Sequence, residues 1–171
     1  MENNSMIKKF SGALALLLVA GVAFYWFSQS EEAKIKQEFR KIEKWGSKTS
    51  AGTKLGLAAK VKNIRERFDD PCYIYFEETG QTRTYARQDI SAGIFNHLSR
   101  YAETTLSFRD LRVELTGDNA ATVFTLLHMN GRLPNGEVVR DRYELLFRLT
   151  GTGGDRLIQT ITVIGQGNDT G

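Results

Sequence analysis

VVRDRYELLFRL, Val138–Leu149, is the stretch on which the reading of this 171-residue chain turns. Read as a strand, its side chains alternate between two faces. Val138, Arg140, Arg142, Glu144, Leu146 and Arg148 share one face, and Val139, Asp141, Tyr143, Leu145, Phe147 and Leu149 share the other. The second face is apolar enough to be core, yet a carboxylate and a phenol stand near its start. Either that end opens onto a small-molecule site or it is the exposed beginning of a core strand, with Asp141 paired to an arginine.

Three further stretches have the same character: Thr105–Leu115, Ala120–Asn130 and Arg156–Ile164. Turn-rich links of hairpin length (Thr116–Asn119, Gly131–Gly136 and Gly151–Asp155) join the four, which predicts an antiparallel meander. In Ala120–Asn130 the set Val123, Thr125, Leu127 and Met129 is expected inside, leaving His128 outside. Upstream, Cys72–Glu78 and Thr82–Arg87 flank Thr79-Gly80-Gln81 and read as a hairpin. Helical spacing appears at Ile35, Phe39, Ile42 and Trp45, predicting a helix over Glu31–Trp45. A second helix is expected over Thr53–Phe68, stopped by Asp69-Asp70-Pro71 because proline disfavours helix in the residue before it. Asp89 is expected to cap a third helix reaching about Glu103, with Ile90, Ile94, Leu98 and Tyr101 inward. The order predicts an α+β domain, helices packed on one face of a curved antiparallel sheet.

The amino terminus is of another kind. Met1–Lys9 is a short polar arm, and Phe10–Phe27 (FSGALALLLVAGVAFYWF) runs 18 residues without a charge. At 1.5 Å per residue that is roughly 27 Å of helix, enough to cross a bilayer core, and Phe24–Phe27 would put aromatic rings at headgroup level. The run is expected to be a membrane anchor or uncleaved signal. A cleaved signal peptide fits less well, because the aromatics follow the small residues Gly21-Val22-Ala23 directly. Residues 10–27 are therefore the expected membrane partner, residues 31–165 the folded domain, and 166–171 a flexible tail. The expected location is a bacterial inner membrane, single-pass, with the domain on the periplasmic side.

Net charge is only +3, too balanced for a dedicated nucleic-acid binder. Its distribution is uneven. Glu31–Phe68 carries eleven Lys/Arg against five acids, whereas from Asp69 onward there are ten Arg, no Lys and fourteen acids. The basic segment reads either as a solvated helical face or as a surface for anionic lipid. Cys72 is the lone cysteine and is expected to be a small buried residue. No metal-ligand spacing, nucleophile motif or phosphate loop occurs, so neither metal nor cofactor is expected.

The element order, with TGDNAATVFTLLHMNG (116–131) leading through EVVRDRYELLFRLTG (137–151) into GDRLIQTITVIG (154–165), resembles the nuclear-transport-factor-2-like (SnoaL-like) superfamily. That resemblance implies a cone-shaped sheet closed by three helices and able to hold a ligand. It does not fix a chemistry, since the superfamily includes isomerases, dehydratases, cyclases, transport factors and membrane-anchored assembly subunits. In it, isomerases use a carboxylate base facing a Tyr–acid pair, and dehydratases a His–Asp arrangement.

On that footing the catalytic candidates are Asp141, Tyr143 and His97, and the candidate pocket is Tyr75, Tyr101, Asp141, Tyr143 and Phe147, suited to a small apolar ligand. Burial would raise the pKa of Asp141 as a general base requires. His97 should flank the inward arc of its helix. The polar sheet face, with Arg112, Glu114, Arg140, Arg142 and Glu144, is expected either to form a solvated charge ladder or to dock a second copy, as sheet-face dimers do among similar proteins. Two functions follow: an anchored, non-catalytic domain binding a protein or small ligand, or a small-molecule isomerase, dehydratase or lyase.

Overall fold

In the computed structural model, which describes residues 30–152 and 155–168, three helices cover one face of a six-stranded sheet. The helices are α1 (Glu31–Gly46), α2 (Lys54–Arg65) and α3 (Arg87–Ser99). The strands are β1 (Phe68–Phe76), β2 (Gln81–Tyr85), β3 (Glu103–Leu115), β4 (Ala120–Arg132), β5 (Val138–Thr150) and β6 (Leu157–Asn168). The expected arm 1–9 and anchor 10–27 lie outside the described residues. Among those described, no helix is long and apolar enough to cross a membrane.

Local chemistry sets the helix starts. The Ser30 hydroxyl accepts the Ala33 N–H at 3.1 Å and Glu31 and Glu32 occupy the first turn of α1, where the helix dipole favours acids. Thr53 accepts the Gly56 N–H at 3.1 Å and starts α2. α3 departs from expectation: Ala86 is its N-cap with no side-chain bond, and Asp89 lies in the first turn rather than at the cap. α2 also stops at Arg65, short of Phe68, because Arg67 and Phe68 already pair with the sheet. The Arg67 carbonyl accepts the Ile158 N–H at 2.8 Å. Phe68 extends the helical stripe only by coincidence of spacing.

The strand order is β2-β1-β6-β5-β4-β3. The four long strands form the expected antiparallel meander. The sheet is not wholly antiparallel, however, because β1 lies parallel to β6. Two strands so far apart in the chain share no turn, and the turn signals that predict hairpins are blind to such a pairing. β6 runs on to Asn168, so pairing with β5 continues through residues 166–168.

The sheet is curved but not closed. A bulge in β3 between Arg109 and Arg112, with Asp110 at φ 53°, bends the edge strand. The concave face holds the core. Phe39 of α1, 1% exposed, meets Phe147 at 5.0 Å and Phe108 at 5.1 Å, both edge-on. Val123, Thr125 and Met129 of β4 are buried on the same side, as their alternation predicts. Cys72 is fully buried, and burial, then Asp69, pushes its thiol up to about 11.

Candidate functional site

Between the helices and the concave sheet lies a cavity of about 380 Å³. It exists because the helix layer is bridged by side chains too few to fill the hollow of the bent sheet. Phe39 and Ile42 of α1, Ile64 of α2 and Ile94 of α3 form its roof, and Leu127, Leu145, Phe147 and Ile161 of the central strands form its wall. Every lining side chain except His97 and Tyr143 is hydrocarbon, methionine or glycine. Gly93 leaves a gap in α3 beside the cavity, where an added Cβ would meet nothing within 4 Å.

One end is different. Along β5 the inward residues run from Leu149 through Phe147, Leu145 and Tyr143 to Asp141, from hydrocarbon to polar. The Tyr143 hydroxyl accepts a hydrogen bond from Gln166 Nε2 at 3.3 Å. Burial raises the Tyr143 pKa, and the neighbouring Asp141 carboxylate raises it further. The Tyr101 phenol is raised by the same two causes in the same order. Asp141 pairs across the sheet with Met129, and among the described residues it forms no ion pair, so the expectation of an arginine partner is not met.

His97, in the last turn of α3, lines the cavity with Nε2 3.3 Å from Met129 Sδ, and its ring lies 5.2 Å from that of Tyr101. The structure thus brings His97, Tyr101, Asp141 and Tyr143 to one end. Of these, only His97 and Tyr143 line the cavity itself, and Phe147 lines it deeper in. Tyr101 is 7% exposed and packs flat against Gly131, where a Cβ would lie 2.4 Å from its ring. Its carbonyl accepts Lys48 Nζ at 2.6 Å. Tyr101 therefore plugs the end rather than lining it.

Tyr75 does not join the group. It alternates with Cys72 and Ile74 along β1, and Cys72 faces the core, so Tyr75 points to the other side of the sheet. It is absent from the lining because the chain turns that side of β1 away from the helices. What the sequence reading missed is the contribution of the helices and of β6: Ile64, Gly93 and Ile161 carry no motif. A glycine on the flank of α3, next to Ile94, was the one available signal.

The convex face is also not as expected. β4 separates β3 from β5, so Arg112 and Glu114 do not oppose Arg140, Arg142 and Glu144 in a charge ladder. Arg112 lies instead over the Phe124 ring at 4.5 Å, Glu144 is opposite Leu126, and Arg142 is opposite His128. Phe124 and Arg112 border two depressions there, one with Leu146 and Glu114, the other with Leu126, Arg142 and Glu144. Among the described residues no group of three His, Cys, Asp or Glu is placed to hold a metal.

No family model matches the sequence, and no curated protein matches it significantly. Solved structures do resemble it. Kfla4162 from Kribbella flavida is 18% identical and superposes with a TM-score of 0.60 over 81% of this chain and 93% of that one. A candidate calcium/calmodulin-dependent protein kinase II association domain from Xanthomonas campestris is 13% identical, TM-score 0.54, over 78% and 86%. An NTF2-like protein of unknown function from Exiguobacterium sp. 255-15 is 12% identical, TM-score 0.50, over 81% and 99%. At such identities the likeness speaks for architecture and not for chemistry. The described chain has the NTF2-like α+β fold.

Proposed function

We propose that the chain is a membrane-tethered, non-catalytic NTF2-like domain at the outer face of a bacterial inner membrane, and that it holds a small apolar molecule in the cavity. The lining carries this reading. A hollow of about 380 Å³ walled by Phe, Ile, Leu and Met cannot hold hydrogen-bonded water well, and its wall atoms lack contacts that a guest would restore. Burying apolar ligand surface there is worth about 25 cal/mol per Å². Tyr143, held by Gln166, and His97 at the polar end would orient a guest with one polar group. The uncharged run 10–27, three residues before the Ser30 cap of α1, supports the tether. The convex face, with Phe124, Leu126 and Leu146 among Arg112, Glu114, Arg140, Arg142 and Glu144, is the proposed surface for a second copy. Such a mixture of apolar centre and charged rim is what stable interfaces use.

Native mass spectrometry of the full chain, released from detergent, tests the ligand. The expected result is a bound mass of a few hundred daltons that is lost in Gly93→Leu and Ile161→Trp, which occlude the cavity. A wild-type chain that carries no such mass and takes up none of a panel of apolar molecules contradicts the reading.

A second reading has its own observation: Asp141 sits without an ion partner beside Tyr143, with His97 at the same end. That arrangement fits a small-molecule isomerase, dehydratase or lyase with Asp141 as base. Asp141→Asn would then abolish turnover while leaving ligand uptake intact. Turnover that survives Asp141→Asn removes this alternative.

A further inference from the structure

α1 presents two chemically opposite sides. Ile35, Phe39, Ile42 and Gly46 are buried against the sheet. At about 100° per residue, the arc facing away from that stripe carries Lys34, Lys36, Gln37, Arg40, Lys41 and Lys44 and no carboxylate. The four acids of the helix lie on its flanks, and three are tied to other elements. Glu31 Oε2 is 3.3 Å from Arg156 Nη2, Glu38 Oε2 is 3.1 Å from Arg67 Nη1, and Glu43 Oε1 accepts the Phe108 N–H. Arg40 and Lys44 are exposed and form no ion pair among the described residues. Lys34, Lys36 and Lys41 also lean back onto Glu31, Glu32 and Glu38 of the same helix, which leaves Arg40 and Lys44 as the uncompensated cations of an arc that runs about 15 Å from Lys34 to Lys44.

α2 beside it contains no acid, and its Leu55 is 83% exposed next to Lys54. Arg40 and Lys44, one helical turn apart, remain as an unpaired like-charge i,i+4 couple, which disfavours the helix. The repulsion is relieved by an anionic surface.

We infer that the outward face of α1 lies on anionic phospholipid headgroups. The inference rests on the proposed span 10–27 for its choice of partner: only residues 28–30 separate that run from α1, a reach of about 11 Å when extended, comparable to the screening length in physiological salt. The helix start is thereby held where headgroup charge is felt, and the basic arc supplies what the headgroups attract. Each basic residue removed should weaken association about fivefold.

The test places one reporter on the arc. Gln37→Cys in the full chain is labelled with a soluble maleimide in excess vesicles of phosphatidylcholine alone or with added phosphatidylglycerol. Cys72 stays silent, being fully buried with its thiol pushed up to about 11. Labelling should slow at least severalfold on the anionic vesicles only, and recover in high salt or when Arg40→Glu and Lys44→Glu are added. Equal rates on both vesicle types overturn the inference. So does equal protection by a soluble oligonucleotide at matched charge, which would mark the arc as a general polyanion surface. The tether is read separately: release of the chain by alkaline carbonate from both vesicle types defeats the span 10–27, whereas the labelling ratio, measured with lipid in excess, still reports on the arc.

Discussion

At the inner end of the cavity Phe39, Phe108 and Phe147 interlock edge-to-face, and nothing polar interrupts them. At the other end Met129 lies opposite Asp141 and against His97, with Tyr101 and Tyr143 beside them, and the Asp141 charge raises the pKa of both phenols after burial does. The two ends are positions on the same strand, a few residues apart along β5. The inner end is built for cohesion, where each ring contributes area and geometry to the fold. The outer end is built for selectivity, where polar groups are held near a low-dielectric hollow and the two phenols hold their protons more tightly than free tyrosine. Damage to the first should therefore read out as lost stability, and damage to the second as altered titration or ligand choice.

The largest effect is expected at the inner end. Phe39→Ala removes a ring that is 1% exposed and should lower unfolding free energy by about 3–5 kcal/mol, measured by denaturant titration. A loss under about 1 kcal/mol would mean that the aromatic trio is not the centre of the core. Next comes the plug. Gly131→Ala drives a methyl into the Tyr101 ring at 2.4 Å and should cost about 1–3 kcal/mol, with relief in the double variant Gly131→Ala/Tyr101→Leu.

Smaller and opposite in sign is Gly93→Leu. Glycine costs a helix about 1 kcal/mol against a good helix former, and the space beside residue 93 is open. The variant should raise Tm by a few degrees while excluding ligand, separating stability from binding.

The smallest effect on stability is expected from Asp141→Asn, whose readout is titration. Burial and then Asp141 raise the folded-state pKa of both Tyr101 and Tyr143 above 10. A raised pKa means that the folded chain holds these protons more tightly than the unfolded one. Their contribution is thus complete below pH 10 and is lost as pH climbs above it towards the folded-state values. In Asp141→Asn the phenols, followed by their absorbance near 295 nm, should ionise at lower pH than in the wild type. An unchanged titration would show that the carboxylate is not near the rings.

Much of this contrast was legible along β5 itself. The strand Val138–Thr150 covers the whole stretch read as a strand, Val138–Leu149, and the order Asp141, Tyr143, Leu145, Phe147 already runs from polar to apolar. The meander was readable because its links are short and rich in glycine, asparagine and aspartate, so each strand is next to its predecessor. Long-range geometry was not readable. The parallel contact of β1 with β6 is decided by where the helical crossover deposits β1, and that fixes which way Tyr75 faces. The charge ladder failed for a related reason: strands close in sequence pattern, β3 and β5, are kept apart by β4. The cavity itself is a mismatch between a bent sheet and its helices, a volume left unfilled, and no single residue announces it.

Whether the apolar cavity is open and accepts an apolar guest is read out by crystals of the protein held under xenon. Xenon enters dry hydrocarbon cavities and shuns polar or filled ones. Xenon is expected between Phe39, Phe147 and Ile161, displaced by any co-purified ligand and absent in Ile161→Trp. A ligand-free crystal with no xenon there, its side chains collapsed across the hollow, would contradict it.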